Sequence, residues 1–168
     1  VSSVWPLSGA SEGGTPLTVL GTGFTPASEL LGVPLVRFNS TVVSATYINN
    51  SALEFTVFPM QTGPVSVEVS TNGREYTSSG VTFEVVSLLV RGVAPWSGPV
   101  LGGTVVTIAG SRLAHVSDTL RCRFGASTAL PTSAHGTDGI RCVSPPALPT
   151  GWSSIELSMH GTPLRSGG

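Results

Sequence analysis

Apolar and polar residues alternate one by one in short runs along this chain. "TPLTVLG" (15–21) and "TVVTIAG" (104–110) alternate in this way. So do "LEFTVF" (53–58), "VSVEVS" (65–70), "IRCVS" (140–144) and "SIELS" (154–158). A period of two places alternate side chains on opposite faces, which is the signature of a half-buried strand. Turn-forming pairs separate the runs: Thr22-Gly23, Asn49-Asn50, Gly63-Pro64, Asn72-Gly73 and Gly136-Thr137. Helical spacing is nowhere sustained; "PASELLG" (26–32) is long enough for one helical turn at most. By the same alternation Phe83 and Met159 read as core, while Glu68 and Glu156, set between apolar neighbours, point to solvent.

The pattern occurs twice. Shifted by 89 residues, Pro6 falls on Pro95, Ser8-Gly9 on Ser97-Gly98, Gly13-Gly14-Thr15 on Gly102-Gly103-Thr104, and Gly21 on Gly110. Leu17 falls on Val106 and Val19 on Ile108. With small drifts in offset, Val36-Arg37-Phe38 matches Cys122-Arg123-Phe124, and Leu53-x-Phe55 matches Ile140-x-Cys142. Pro59 matches Pro146, and the strand after Gly63 matches the strand after Gly151. About seven short strands per copy suggest an immunoglobulin-type β-sandwich. The predicted fold is therefore all-β, two tandem sandwiches over 1–88 and 89–168.

The stretch Pro-x-Ser-Gly…Gly-Gly-Thr-x-apolar-x-apolar-x-Gly, then an apolar-x-Phe strand, a proline turn and Gly-x-apolar-x-apolar, resembles the IPT/TIG domain. That family is an immunoglobulin-like sandwich of the E-set type. It occurs in plexins and related receptors, fibrocystin-like ciliary proteins, Rel-type transcription factors, and some bacterial enzymes and adhesins. The resemblance covers both copies. It implies a non-catalytic spacer, adhesion or assembly module of a large secreted or cell-surface protein, ciliary proteins included. Its expected partners are other protein domains, of the same chain or of a neighbouring subunit. An accessory carbohydrate-binding or linker segment of a polysaccharide-active enzyme is the alternative.

The two copies are not equal. "SSGVTFEVV" (78–86) supplies the closing strand of the first, whereas the second stops where that strand begins. The second sandwich is thus expected to lack its final strand and to expose an unpaired edge, with another segment filling the gap. The joint, "FEVVSLLVRGVAP" (83–95), is short and has no Gly/Ser-rich spacer. Leu88 and Leu89 either pack at the boundary or face their own cores.

Composition narrows the chemistry. Charged residues make up 10% of the 168, the formal net charge is −1, and all eight basic residues are scattered arginines. A nucleic-acid or anionic-membrane surface requires clustered basic charge, so neither is expected as a partner. No run approaches the roughly 20 apolar residues of a membrane helix. The chain starts at Val1 without a signal peptide or targeting segment and reads as an excerpt of something longer.

Few residues offer catalysis. Gly9-Ala-Ser-Glu-Gly-Gly14-Thr15 has nearly the spacing of a phosphate-binding loop, but lysine is absent and a strand follows where a helix is required. The glycines instead suit a sharp turn that carries the chain between sheets, with Gly21 and Gly110 ending the next strand. The pairs His115/Asp118 and His135/Asp138 are the one arrangement with metal-ligand character, and solvated loop residues are the ordinary reading of them. No serine stands in a nucleophile turn, so no catalytic residue, metal or cofactor is expected.

Three feature sets remain. Cys122 and Cys142 stand where the first copy has Val36 and Phe55, which makes both sites interior. In an oxidising compartment they are expected to pair, closing a loop of about 20 residues; two buried thiols are the other reading. Asn39-Ser-Thr and Asn49-Asn-Ser are N-glycosylation sequons beside turns, with plain turn residues as the alternative. Together these point to the cell surface or the extracellular space. Trp5, Trp96 and Trp152 form either a contact surface for sugar or protein or, more commonly for such residues, plugs at the sandwich ends.

Overall fold

A computed structural model describes residues 1–25, 32, 34–116, 119–129, 131–146 and 150–164. The helical turn considered for 26–32 lies almost wholly outside them. The described chain is all-β and divides into two compact units, Val1–Val86 and Ser87–Gly168.

The first unit runs through β1 (Ser3–Trp5), β2 (Ser8–Ala10), β3 (Pro16–Leu20), β4 (Leu35–Phe38) and β5 (Thr41–Ser44). It continues with β6 (Thr46–Asn49), β7 (Ala52–Thr56), β8 (Gly63–Ser70) and β9 (Thr82–Val86). One sheet has the order β1-β3-β7-β6, the other β2-β9-β8-β4-β5. Leu17, Val19, Leu53 and Phe55 from the first sheet meet Val36, Phe38, Val67, Val69, Phe83 and Val85 from the second. All of them sit at alternate strand positions, so the period read from the sequence is the period of burial. Phe38 anchors this core, edge-on to Phe55 at 5.1 Å and to Phe83 at 6.4 Å between ring centroids. Such edge contacts add about 0.5–1.5 kcal/mol each beyond the area buried.

The second unit contains β10 (Leu89–Ala94), β11 (Val105–Ser111), a 3-10 turn (Leu113–Val116), β12 (Leu120–Phe124) and β13 (Ser127–Ala129). β14 (Pro131–His135), β15 (Gly139–Val143), β16 (Ile155–Met159) and β17 (Thr162–Pro163) follow. Its sheets are β10-β11-β15-β14 and β13-β12-β16-β17. Registers repeat between the units: Val36 faces Val69 as Cys122 faces Leu157, and Phe55 faces Leu17 as Cys142 faces Val106. The copies therefore share strand pairing as well as sequence.

The repeated glycine stretch is part of this framework. The chain crosses between sheets at Pro6-Leu7, between β1 and β2, and crosses back through the glycines, between β2 and β3. Gly13 and Gly102 then turn the chain into β3 and β11. Each has a positive φ (77° and 75°) and donates its N–H to a carbonyl three residues back, Ala10 and Pro99. A side chain at Gly13 would lie 2.7 Å from the Phe58 carbonyl carbon, and one at Gly102 2.6 Å from that of Pro145. Only glycine tolerates both the dihedral and the contact. Gly110 does not end its strand as expected; it lies inside β11, where the Leu89 carbonyl and Leu113 leave no room for a side chain.

Glu68 is the clearest departure from the sequence reading: it is only 6% exposed. Alternation does put it on the outer face of β8, but the loop leading to β9 folds over that face. Its Oε2 accepts hydrogen bonds from the Thr77 hydroxyl, the Ser79 N–H (3.1 Å) and the Ser79 hydroxyl (3.0 Å), and Oε1 accepts from the Gly80 N–H (3.2 Å). Arg37, directly opposite on β4, stacks over Tyr76 instead, 4.3 Å from the ring centroid. In the second unit the equivalent Arg123 and Glu156 form a half-exposed ion pair. Burial alone would raise the Glu68 pKa; the four hydrogen bonds outweigh it and hold the carboxyl below its ordinary value of 4.5.

Candidate interaction site

A groove of about 460 Å³ opens on the second unit. One wall is Ser97, Gly98 and Pro99, the segment after the Pro95 turn; the other is Gly151, Trp152 and Ser153, ahead of β16. Val106, Phe124 and Ile155 line it from the core side. Trp96 and Trp152 stand on this groove 80% and 92% exposed, and Trp5, on β1 of the first unit, is 65% exposed. The expected role as plugs is therefore not what the structure shows. The reason is local: Val4 takes the inward position of β1, so strand alternation turns Trp5 outward. Trp96 occupies the place of Leu7, also exposed, and Trp152 that of Pro64. The structure thus brings Trp96 and Trp152 to one groove and leaves Trp5 on the other unit.

Cys122 on β12 and Cys142 on β15 are both fully buried and joined as a disulfide, with 6.4 Å between their Cα atoms. Because β12 and β15 belong to opposite sheets, the bond ties the sandwich through its centre. In the first unit the same two positions, Val36 and Phe55, are held by apolar packing alone.

Asn39 and Asn49 are exposed on hairpins of the first unit, Asn39 between β4 and β5 and Asn49 at the end of β6. Asn39 has φ 48°, and its Oδ1 accepts from the N–H (2.9 Å) and hydroxyl (3.1 Å) of Ser66. The Oδ1 of Asn49 accepts from the N–H and the hydroxyl of Ser51, both at 2.9 Å, closing an Asx turn within its own sequon.

His135 and Asp138 are exposed at the β14–β15 turn. The side chain of His115 and all of Asp118 lie outside the described residues. Among the described residues no group of three His, Cys, Asp or Glu side chains is placed to hold a metal ion. Nor is any helix among them long and apolar enough to cross a membrane.

The repeated strand order, the glycine turn and the register shared by both units are features of one domain type used twice. The IPT/TIG domain family matches residues 1–85 and again residues 88–168. This chain belongs to the IPT/TIG family. Mouse fibrocystin-L is 26% identical over 171 residues, covering 98% of this chain and 4% of that protein. Human plexin-A3 is 29% identical over 136 residues, covering 74% of this chain and 7% of that protein. Rat plexin-A3 is 31% identical over 157 residues, 86% of this chain and 8% of that protein. This IPT/TIG chain therefore spans less than a tenth of the curated relatives it matches. Among solved structures, the full extracellular region of plexin A4 superposes with a TM-score of 0.67 at 19% identity, over 97% of this chain and 14% of that one. That likeness is one of fold.

Sequence reasoning missed two features that the structure supplies: the groove bounded by Trp96 and Trp152, and the loop clasped by Glu68. The groove had a legible signal in the tryptophans that stand where the first copy has Leu7 and Pro64. The Glu68 clasp had none, since its donors come from a loop 9 to 12 residues away with no pattern of its own.

Proposed function

We propose that this chain is a non-catalytic structural and interaction segment from the extracellular part of a larger protein, with N-glycans on Asn39 and Asn49 and a Cys122–Cys142 disulfide. The tandem alignment with fibrocystin-L and the plexins carries this reading: two sandwiches in a row, over nearly the whole chain. Supporting it are sequons on exposed hairpins and two cysteines buried within bonding distance. The partners are other protein domains, met through exposed loops and aromatic side chains. The likeness to fibrocystin-L extends the reading to a ciliary surface.

The test is to express the chain through the secretory route of mammalian cells. Peptide mapping without reductant is expected to recover Cys122 linked to Cys142. Enzymatic deglycosylation is expected to convert Asn39 and Asn49 to aspartate. A secreted product with free thiols and no glycan at either asparagine would refute the extracellular reading. Immunostaining of ciliated cells with an antibody to the chain addresses the ciliary part, which fails if the signal avoids cilia.

A second reading rests on Trp96 and Trp152 standing exposed at one groove, where indole faces suit stacking on a sugar ring. A glycan array probed with the chain and with its Trp152→Ala variant decides it. Binding that depends on Trp152 supports a sugar-binding role; an array without signal removes it.

A further inference from the structure

We infer that Asn72-Gly73-Arg74, in the loop from β8 to β9, is a self-modifying site. The fold converts Asn72 to an isoaspartyl residue, and the product is a ligand for a receptor that holds a carboxylate through a divalent cation. Of the four asparagines in the chain, Asn72 alone precedes glycine; Asn39, Asn49 and Asn50 precede Ser40, Asn50 and Ser51. A glycine nitrogen is the least hindered nucleophile a backbone offers, because no Cβ stands beside it.

Hydrogen bonds link the reacting atoms. The Gly73 N–H donates to Ser70 Oγ at 2.9 Å, and the Ser70 hydroxyl donates to Asn72 Oδ1 at 3.1 Å. The N–H groups of Arg74 and Glu75 donate to the same Oδ1, both at 2.9 Å. Ser70 is buried at the end of β8, paired with Leu35, whereas Asn72 and Gly73 are open to water. As the Gly73 nitrogen bonds to Asn72 Cγ, its proton passes to Ser70 Oγ and the Ser70 proton passes to Oδ1. The Cγ–Nδ2 bond then breaks, and the Oδ1 proton leaves with that nitrogen as ammonia. Water opens the resulting five-membered imide. Opening at the main-chain carbonyl carbon routes the backbone through Cγ and frees the α-carboxylate; opening at Cγ yields aspartate. The sum is amide plus water to carboxylic acid plus ammonia. The Arg74 and Glu75 N–H groups sit where charge develops on Oδ1, as oxyanion-hole donors do, and Ser70 is held ready for the proton.

The same loop is built for display. Its return is pinned to β8: the Thr77 N–H donates to the Val69 carbonyl at 2.9 Å and the Val69 N–H to Thr77 Oγ1 at 3.0 Å. Glu68 clasps Thr77, and Tyr76 lies under Arg37. The extra backbone carbon of the isoaspartyl form is therefore taken up within 71–75, where all five residues are exposed. Arg74 makes no ion pair among the described residues. Conversion sets a carboxylate and a guanidinium on either side of one glycine. Such a pair complements a bound divalent cation flanked by acidic side chains, since carboxylate oxygens ligate hard cations and guanidinium pairs with carboxylates. The ligand role rests on the extracellular reading; the conversion does not.

The test ages the intact chain, made in a bacterial periplasm without N-glycans, at physiological pH and temperature. Isoaspartate is read by peptide mapping and enzymatic methylation. Conversion at Asn72 is expected to run about tenfold faster than in the peptide of residues 67–77, and faster than at the other three asparagines. Ser70→Ala is expected to slow it about tenfold, with circular dichroism showing the fold kept. Aged chain coated on plastic is then expected to hold fibroblasts in magnesium and release them in EDTA. Asn72→Gln abolishes this attachment; Arg74→Ala abolishes it while converting as before. A folded chain that converts no faster than the peptide overturns the self-modification, a comparison that needs no variant. Ser70→Ala converting at the parent rate removes the relay. Absent attachment, or attachment indifferent to Asn72→Gln, overturns the ligand role. A failed extracellular reading shows separately, as free thiols and missing glycans on chain secreted from mammalian cells.

Discussion

Replacing Glu68 by glutamine isolates the one buried carboxylate among the described residues of the first unit. Glutamine has the same shape, so the loop 77–80 keeps its path while the charge is removed. If the amide oxygen takes the place of Oε2, the amide NH2 confronts the Gly80 N–H, donor against donor, and the bonds from Thr77 and Ser79 become neutral ones. A hydrogen bond to a charged group contributes about 1.5–3 kcal/mol net. Ser79 and Gly80 are exposed, so water replaces part of what is lost, and a net cost of about 2 kcal/mol is expected. For a domain of this size that lowers Tm by roughly 8–16 °C. Calorimetry is the assay, with the change confined to the transition of the first unit. The pH dependence has a definite sign. Because the folded pKa lies below 4.5, the stability carried by the ionised form is complete above the unfolded value and is lost as pH falls through the lower folded one. The gap between wild type and Glu68→Gln is therefore flat from pH about 7 to 5 and closes below about 4. A Glu68→Gln protein within about 0.5 kcal/mol of wild type at neutral pH, or a gap indifferent to acid, would refute the buried clasp. Glu156→Gln is the internal control, expected to cost under about 1 kcal/mol because its ion pair with Arg123 is half-exposed.

Other outcomes follow from the same structure. Cys122→Ser with Cys142→Ser is expected to lower the stability of the second unit by about 3 kcal/mol, the loop-closure value for a separation of 20 residues, and to leave the first unit's calorimetric transition in place. Gly13→Ala and Gly102→Ala are each expected to cost about 2 kcal/mol or more in their own unit, since positive φ and backbone contact combine; denaturant titration followed by circular dichroism reads this directly. Burial first, and then the nearby Arg121, lowers the pKa of His160 from its ordinary 6.5. The second unit is accordingly expected to lose stability as pH falls below about 6.5, levelling off once the folded pKa is passed, in a titration of Tm against pH.

Local pattern alone determined much of this protein. A period of two in "TPLTVLG" and "TVVTIAG" placed Leu17, Val19, Val106 and Ile108 inside, and all four are buried. The repeated glycines pointed to a turn of unusual geometry, because no other residue adopts φ near 75° against a neighbouring backbone. Internal repetition also made Cys122 and Cys142 interior, since their counterparts Val36 and Phe55 are apolar. What covers a strand is a different matter. Alternation assigned Glu68 correctly to the outer face of β8, but whether that face meets water depends on a loop whose sequence carries no period. Likewise Trp96 and Trp152, 56 positions apart in the chain, share a groove only because β11, β12 and the start of β16 converge there. Strand periodicity is set within a few residues by backbone geometry; clasps and grooves are set by which distant segments pack together, and that is decided only in three dimensions.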